Sequence, residues 1–387
     1  MYKILTLNHI RVGGLERLPR DRYEVASEIQ RPDAVLLRSF DMHDWPIPDT
    51  VKAVGRAGAG VNNIPVAALS ARGIPVFNTP GANANAVKEL VLAGMLLAAR
   101  NIGPAWDFSR SLRGTDAELT KQVEAGKKHF VGFELPKRTL GVIGLGAIGV
   151  KVANAAQSLG MRVIGYDPHI TVDNAWRLSA QVEHVLSVDD VLSQADFVTF
   201  HVPLTDSTRH LINAARLQRA RKNITILNFA RASVVDEAAV CEAIKAGKVH
   251  AYVCDFPSSI LKDHERVIAL PHLGASTEEA EENCAIMVAD QVRDYLENGT
   301  VLNSVNFPDL IMPRSEGYRL LVVNSNIPHM IERISAAIAK ANINILDLLN
   351  KSRGQIACTL VDGASPMPES VVAEIAATEG VLAVRSL

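Results

Sequence analysis

The chain has 387 residues, with 40 basic side chains against 42 acidic ones and a net charge of −2. That balance excludes a protein that holds nucleic acid or a membrane surface through basic charge. Hydrophobic residues make up 48%, enough for two or three packed domains. The longest apolar run, residues 90–99, lies between Glu89 and Arg100 and is too short to span a bilayer. Cys241, Cys254, Cys284 and Cys358 lack C-x-x-C spacing, so they read as buried, reduced thiols of a cytoplasmic protein, and no metal is expected. The start, residues 1–7, turns polar too soon for a secretory leader.

In chain order, residues 1–100 alternate strands (2–7, 34–37, 51–54, 74–76) with helical stretches, and 86–100 is a helix apolar on most faces. Residues 101–136 are polar and irregularly helical, a connection between two lobes. The apolar strand ending at Ile143 then runs into Gly144, Gly146 and Gly149, spaced G-x-G-x-x-G. A helix over 151–159, a strand over 161–166 and an acid, Asp167, complete a dinucleotide-binding fingerprint. Gly144 permits the turn, Gly146 admits the pyrophosphate, and Gly149 lets helix and strand approach. The helix N-terminus, with Ala147 and Ile148, meets the phosphate charge. Asp167 would accept from the adenosine ribose and repel a 2′-phosphate, so NAD is favoured over NADP.

Strand–helix alternation continues to residue 277, with strands at 197–201, 225–228, 251–255 and 267–270 and helices at 188–194 and 237–246. It implies a parallel sheet whose ligands sit at the strands' carboxyl ends. His201, residues 228–231, Asp255 and His272 follow such strands. Residues 278–298 form one long helix ending at Gly299, and 306–316, with Pro308 and Pro313, are a linker. From 317 to 387 the order is β-α-β-β-α-β, a ferredoxin-like split unit, with Ile331, Ile334 and Ile338 on the face of its first helix.

Three segments carry candidate chemistry. In Val54-Gly-Arg-Ala-Gly-Ala-Gly60 the glycines leave amides exposed to a carboxylate, and Arg56 suits a phosphate. The bland alternative is a tight turn with a solvated arginine. In Asn228-Phe-Ala-Arg231 a guanidinium follows a strand, placed to hold a carboxylate or merely to cap locally. In Leu270-Pro-His-Leu-Gly274 an imidazole precedes a helix, and imidazole exchanges protons near neutral pH.

With these stretches, and with FHVPLTDSTRHLIN, NFARASVVDE and LPHLGAST, the chain resembles the D-2-hydroxyacid dehydrogenase family, and within it the branch that acts on 3-phospho-D-glycerate. The last seventy residues resemble an ACT domain. The resemblance implies an α/β fold: a substrate lobe (1–100 with 280–305), an NAD-binding Rossmann domain (101–279), the linker, and the ACT unit (317–387). It implies that Arg231 binds the carboxylate and His272 is the acid–base group. Amides around Ala59 and Gly60 hold the carboxylate from the other lobe, Arg56 meets the phosphate, and Arg38 assists. Gly146, Ala147, Ile148, Asp167, His201, Val202, Pro203 and Thr208 contact NAD, with Ala230 and Asp255 near the nicotinamide. Asn324, Asn326 and Asn344 match positions that bind an L-serine effector. A homodimer or homotetramer is implied.

The chain departs from the family where most members carry a glutamate paired with the histidine. No carboxylate fills that place in residues 255–263; Asp263, Glu265 and Lys262 are the nearby substitutes. Ala232 stands for the usual glycine, and Lys88 for the usual alanine. Another 2-hydroxy acid (glycerate, glyoxylate, lactate) and a non-catalytic NAD-sensing scaffold are the alternatives.

Overall fold

The computed structural model describes all residues from Met1 to Leu387. They cluster into two compact units, residues 1–82 with 278–387, and residues 83–277.

The first unit begins with β1 (Tyr2–Leu7), α1 (Val12–Glu16), β2 (Tyr23–Ala26), β3 (Ala34–Leu37), β4 (Ala53–Arg56), α2 (Val66–Ala71) and β5 (Val76–Phe77). The strands form a parallel sheet in the order β2-β1-β3-β4-β5. Every residue of β3 is buried, as a strand covered on both faces requires. The strands expected at 2–7 and 34–37 stand as read. The one expected at 51–54 lies further along, because Gly55 and Arg56 pair with Leu36 and Leu37; their residue types had suggested a turn. The edge strand β2, only four residues long, did not show in the sequence.

The second unit holds α3 (Ala84–Arg100), α4 (Ile102–Ser111), α5 (Asp116–Gly126), β6 (Thr139–Ile143), α6 (Ala147–Ser158), β7 (Arg162–Tyr166), α7 (Val172–Arg177), β8 (Glu183–His184), α8 (Val188–Gln194), β9 (Phe197–Phe200), α9 (Ala214–Arg219), β10 (Ile224–Asn228), α10 (Glu237–Lys245), β11 (Val249–Cys254) and β12 (Val267–Ala269). Its sheet runs β12-β11-β10-β9-β6-β7-β8, all parallel. The chain leaves β6 to one side for β7 and returns on the other for β9, so the switch point lies at the end of β6, where such sheets bind nucleotides. The boundary expected at residue 100 falls instead at Ala82. The reason is the apolar face of α3: Val87, Val91, Met95, Ala98 and Ala99 share a core with Leu140, Val142, Phe197 and Val253 of the second sheet.

The chain re-enters the first unit through α11 (Glu278–Asn298), with Glu278, Glu279 and Glu281 in its first turn, where the helix dipole favours anions. It ends at Gly299 in the left-handed conformation, φ +71°. The module that follows is β13 (Tyr318–Ser325), α12 (Met330–Lys340), β14 (Ile345–Arg353), β15 (Ile356–Gly363), α13 (Glu369–Ala376) and β16 (Val381–Ser386), an antiparallel sheet in the order β14-β15-β13-β16. One sheet face, with Leu320, Val322 and Val361, packs on Ile334, Ile338, Val371 and Ile375 of its helices. Ile331, expected on that face, is 45% exposed; Met330 and Ala337 are buried in its stead. The other sheet face, Leu321, Val323, Ile356, Cys358 and Leu360, joins one core with Ile4, Leu36, Phe77, Val288, Tyr295 and Phe307. The module is therefore continuous with the first sheet rather than a separate body on a linker.

A buried arginine fastens that join. Arg319 Nε and Nη2 donate to the two oxygens of Asp362 at 2.7 and 2.8 Å. Nη1 donates to Met312 O and Asn298 O, and Nη2 also to Pro313 O. The five N–H bonds of the guanidinium thus have five acceptors, as burial of a charge demands.

Candidate active site

The nucleotide-binding end of the second unit is built from glycines. Gly144 sits at φ +91°, and a Cβ there would lie 2.6 Å from His201 O. A Cβ on Gly149 would stand 1.9 Å from Gly144 O, so turn and helix touch backbone to backbone. A Cβ on Gly146 would meet nothing within 4 Å. Its vacant side points into open space before α6, whose first amides no side chain caps. Those amides suit a pyrophosphate. The helix begins at Ala147, four residues before the expected start, so Ala147 and Ile148 form its first turn.

Asp167 follows β7 and accepts from Leu145 N at 2.7 Å and His169 N at 2.8 Å. It thereby braces the glycine turn, and each carboxylate oxygen keeps acceptor capacity for a ribose hydroxyl. His201 follows β9. Its Nε2 lies 3.1 Å from Thr199 Oγ1, and its Nδ1 is shut from water with no partner. Burial pushes this imidazole down to about 3, so it is neutral at physiological pH. Thr208 Oγ1 donates to Pro203 O at 2.6 Å and accepts from Thr205 N, stapling the loop that carries Val202 and Pro203. The open Gly146, the uncapped helix and the orphaned His201 nitrogen fit a dinucleotide.

The turns after β10 and β12 carry the two candidate reacting side chains. Arg231 is exposed, with Nη1 donating to Ala230 O. Its turn is pinned by Asn228, which is fully buried: Oδ1 accepts from Ala230 N, and Nδ2 donates to Arg231 O at 3.0 Å and Tyr252 Oη at 3.2 Å. His272 is exposed and left-handed, φ +58°. A non-glycine residue in that region costs about 1–3 kcal/mol and persists where its surroundings over-determine it. Here Asp255, 2% exposed, accepts from Leu273 N and Gly274 N, each at 2.7 Å. The side chain packed against the His272 ring is Phe256, edge-on at 5.3 Å.

None of the nearby substitutes for the missing glutamate reaches that ring. Asp263 pairs with Lys262 at the surface. Glu265 lines a small cavity with His129, Phe130 and Arg266. Lys88, which stands for the usual alanine, lies on α3, bonded to Asn85 and Glu89.

In the first unit, the residues after β3 and β4 form a separate cluster. Arg56 Nε donates to Arg38 O at 2.9 Å, and its Nη1 donates to Gly60 O. Asn78 Nδ2 donates to Ala59 O at 2.6 Å, and Thr79 N to Gly58 O at 3.1 Å. With the three carbonyls of residues 58–60 held, the amides of Ala59 and Gly60 are the groups this turn can offer to an anion. Arg38 is less free than expected, because Nη1 pairs with Glu281 at 2.7 Å, which also binds Arg11. Sequence reasoning missed Asn78, Thr79 and Arg11, and placed Asn228 at the crevice without its anchoring role. Asn78 and Thr79 had a signal, a polar pair one residue beyond a predicted strand.

In the C-terminal module, Asn324 is 1% exposed with Oδ1 unpartnered. Asn326 donates to Gly354 O, and Asn344 is exposed.

Comparison with known proteins shows the family. Residues 95–274 match the D-isomer specific 2-hydroxyacid dehydrogenase NAD binding domain. The chain is 37% identical to a D-3-phosphoglycerate dehydrogenase of Methanocaldococcus jannaschii, over 84% of this chain and 61% of that protein. It therefore spans about three fifths of that relative's length. The D-3-phosphoglycerate dehydrogenase of Haemophilus influenzae is 34% identical over 87% of this chain and 81% of its own length. The NAD+-bound 3-phosphoglycerate dehydrogenase structure from Entamoeba histolytica superposes with a TM-score of 0.61 and 26% identity, over 80% of this chain and 99% of that one. With the glycine turn, Asp167, Arg231 and His272 standing where the folded strands end, this chain belongs to the D-isomer specific 2-hydroxyacid dehydrogenase family and carries its NAD-binding domain.

Proposed function

We infer that the chain oxidises 3-phospho-D-glycerate to 3-phosphohydroxypyruvate with NAD, the entry step of the phosphorylated route to L-serine. NAD, when bound, accepts the hydride from C2. His272 takes the hydroxyl proton, and Arg231 binds the carboxylate and polarises the carbonyl that forms. The amides of Ala59 and Gly60 receive the carboxylate, and Arg56 the phosphate. The observation that carries this reading is the pairing of two pinned turns, one presenting a guanidinium and the other an imidazole, in a sheet whose switch point fits a dinucleotide. The relatives named for phosphoglycerate support the substrate.

NADH formation by the purified protein with phosphoglycerate, glycerate or lactate tests it directly. Phosphoglycerate should give the highest kcat/KM, and His272→Ala should lose turnover by about a hundredfold or more. Arg56→Ala should raise the KM for phosphoglycerate about ten- to a hundredfold, the worth of a hydrogen bond to a charged group, with a smaller effect on glycerate. Equal KM changes for both acids would remove the phosphate from the proposal.

Self-association, cytoplasmic residence and serine feedback belong to the same reading. Neither α4 nor α5 has a buried residue, and Trp106 and Val131 are 61% and 77% exposed. Such apolar exposure favours a homodimer or homotetramer. No helix is long and apolar enough to cross a membrane. The buried, unpartnered Oδ1 of Asn324 supports a polar effector near Asn326 and Asn344; a rate unchanged by added serine would leave the module a purely structural role.

A further inference from the structure

We propose that Asp255 and Asn228 are the positioning residues of the reaction, and that this chain orients its histidine from the backbone side rather than through a carboxylate on the ring. The proposal rests on the reading that Arg231 and His272 act on substrate.

Asp255 gives the His272 turn three acceptors. Its main-chain oxygen receives His272 N at 3.1 Å, and its two carboxylate oxygens receive Leu273 N and Gly274 N. The next residue, Phe256, presses its ring edge against the imidazole. Gly274 is part of the fit: a Cβ there would lie 3.2 Å from Asp255 Oδ2. Asn228 does the equivalent at the end of the neighbouring strand, holding the Arg231 turn with its amide. The two anchors are themselves joined, since Asp255 N donates to Asn228 O at 3.2 Å. Both are buried, so their hydrogen bonds are made in a low dielectric and neither competes with bulk water. Guanidinium and imidazole are thus referred to a single pair of adjacent strand ends. A carboxylate on the ring would restrain the imidazole directly. Here a charged clamp on the following amides and an aromatic wall do the restraining.

This differs from assigning Asp255 to the nicotinamide carboxamide, and the two roles part in experiment. Asp255→Asn keeps the shape but presents an NH2 group to one of the two amides. We expect kcat to fall about tenfold or more, the dissociation constant for NADH, read by fluorescence titration, to stay within about threefold, and hydrogen exchange at Leu273 and Gly274 to quicken. Asn228→Asp, which turns a carboxylate toward Arg231 O and Tyr252 Oη, should raise KM as well as lower kcat. A kcat within twofold of the parent in Asp255→Asn, or a loss of NADH affinity matching the loss of rate, overturns the proposal. Wild-type exchange provides a measurement that needs no variant. The amides of Leu273 and Gly274 should exchange slowly although Leu273 is 41% exposed, and exchange at free-loop rates would also overturn it. His272→Ala separates the two levels. If that variant turns over normally the functional reading fails, while slow exchange at 273 and 274 would still establish the clamp.

Discussion

At the residue scale the chemistry depends on side chains whose neighbours leave them one state. His201 is the clearest. Its folded imidazole sits near 3 against an ordinary 6.5, through burial. As pH falls below 6.5 the unfolded chain takes up a proton that the folded chain refuses, so protons favour unfolding. The contribution is complete above about 6.5 and drains away as pH falls toward 3. Thermal melts between pH 7 and 4 should therefore lose several degrees in the parent protein, and His201→Asn should flatten that acid limb. An identical slope in both would show that this ring is not what titrates. Arg231 and His272 were legible in the sequence because each follows an apolar run that had to be a strand. Asn228 and Asp255 were not legible in their anchoring role. An asparagine or aspartate at a strand end reads the same whether it contacts cofactor or clamps a turn, and Asp255 finds its partners 18 and 19 residues away.

At the scale of the element, the turn between β6 and α6 separates two uses of glycine. Gly146 takes φ −74°, which alanine also adopts, and its Cβ would enter open space. Gly146→Ala should keep or slightly raise stability, by about 0.4–1 kcal/mol through the unfolded chain, while weakening NAD binding because the methyl occupies the approach to the pyrophosphate. Gly149→Ala should do the opposite in kind. Its Cβ would overlap Gly144 O, so helix and strand must move apart and the melting temperature must fall whatever happens to NAD. Melting curves with and without NAD measure both; a Gly146 variant that binds NAD like the parent would undo the cradle. The helix α3 shows what an element's pattern leaves open. Its sequence declares that it is buried, but the same apolar faces would suit either sheet, and the core it shares with β6 and β11 decides the matter.

At the scale of the molecule, the C-terminal module is half of a shared core. Truncation after residue 316 would strip Leu321, Val323, Ile356, Cys358 and Leu360 from the cluster around Tyr295 and Phe307. The shortened chain should be insoluble or melt far below the parent, whereas a chain with a detachable sensor would keep its melt and its activity. The Arg319–Asp362 pair gives the same test at finer grain. Asp362→Ala leaves a guanidinium buried without its counter-ion and should cost about 3–5 kcal/mol in denaturant unfolding. The arginine holds the Asp362 carboxyl below its usual 3.8. The pair's stabilisation is therefore complete above about pH 4, and is lost as pH falls through the lowered folded value.

By itself the sequence determined most strands of the two parallel sheets, the dinucleotide turn, the acid after β7 and the two side chains that follow β10 and β12. Those features are written in neighbouring residues, as periodicity, glycine spacing and the ends of apolar runs. Only tertiary structure decided that α3 serves the second sheet, that the last module shares the first sheet's core, and that a buried aspartate clamps the histidine turn. Each of these is a contact between residues far apart in the chain, and a local pattern records that a group must be satisfied without naming the partner that satisfies it.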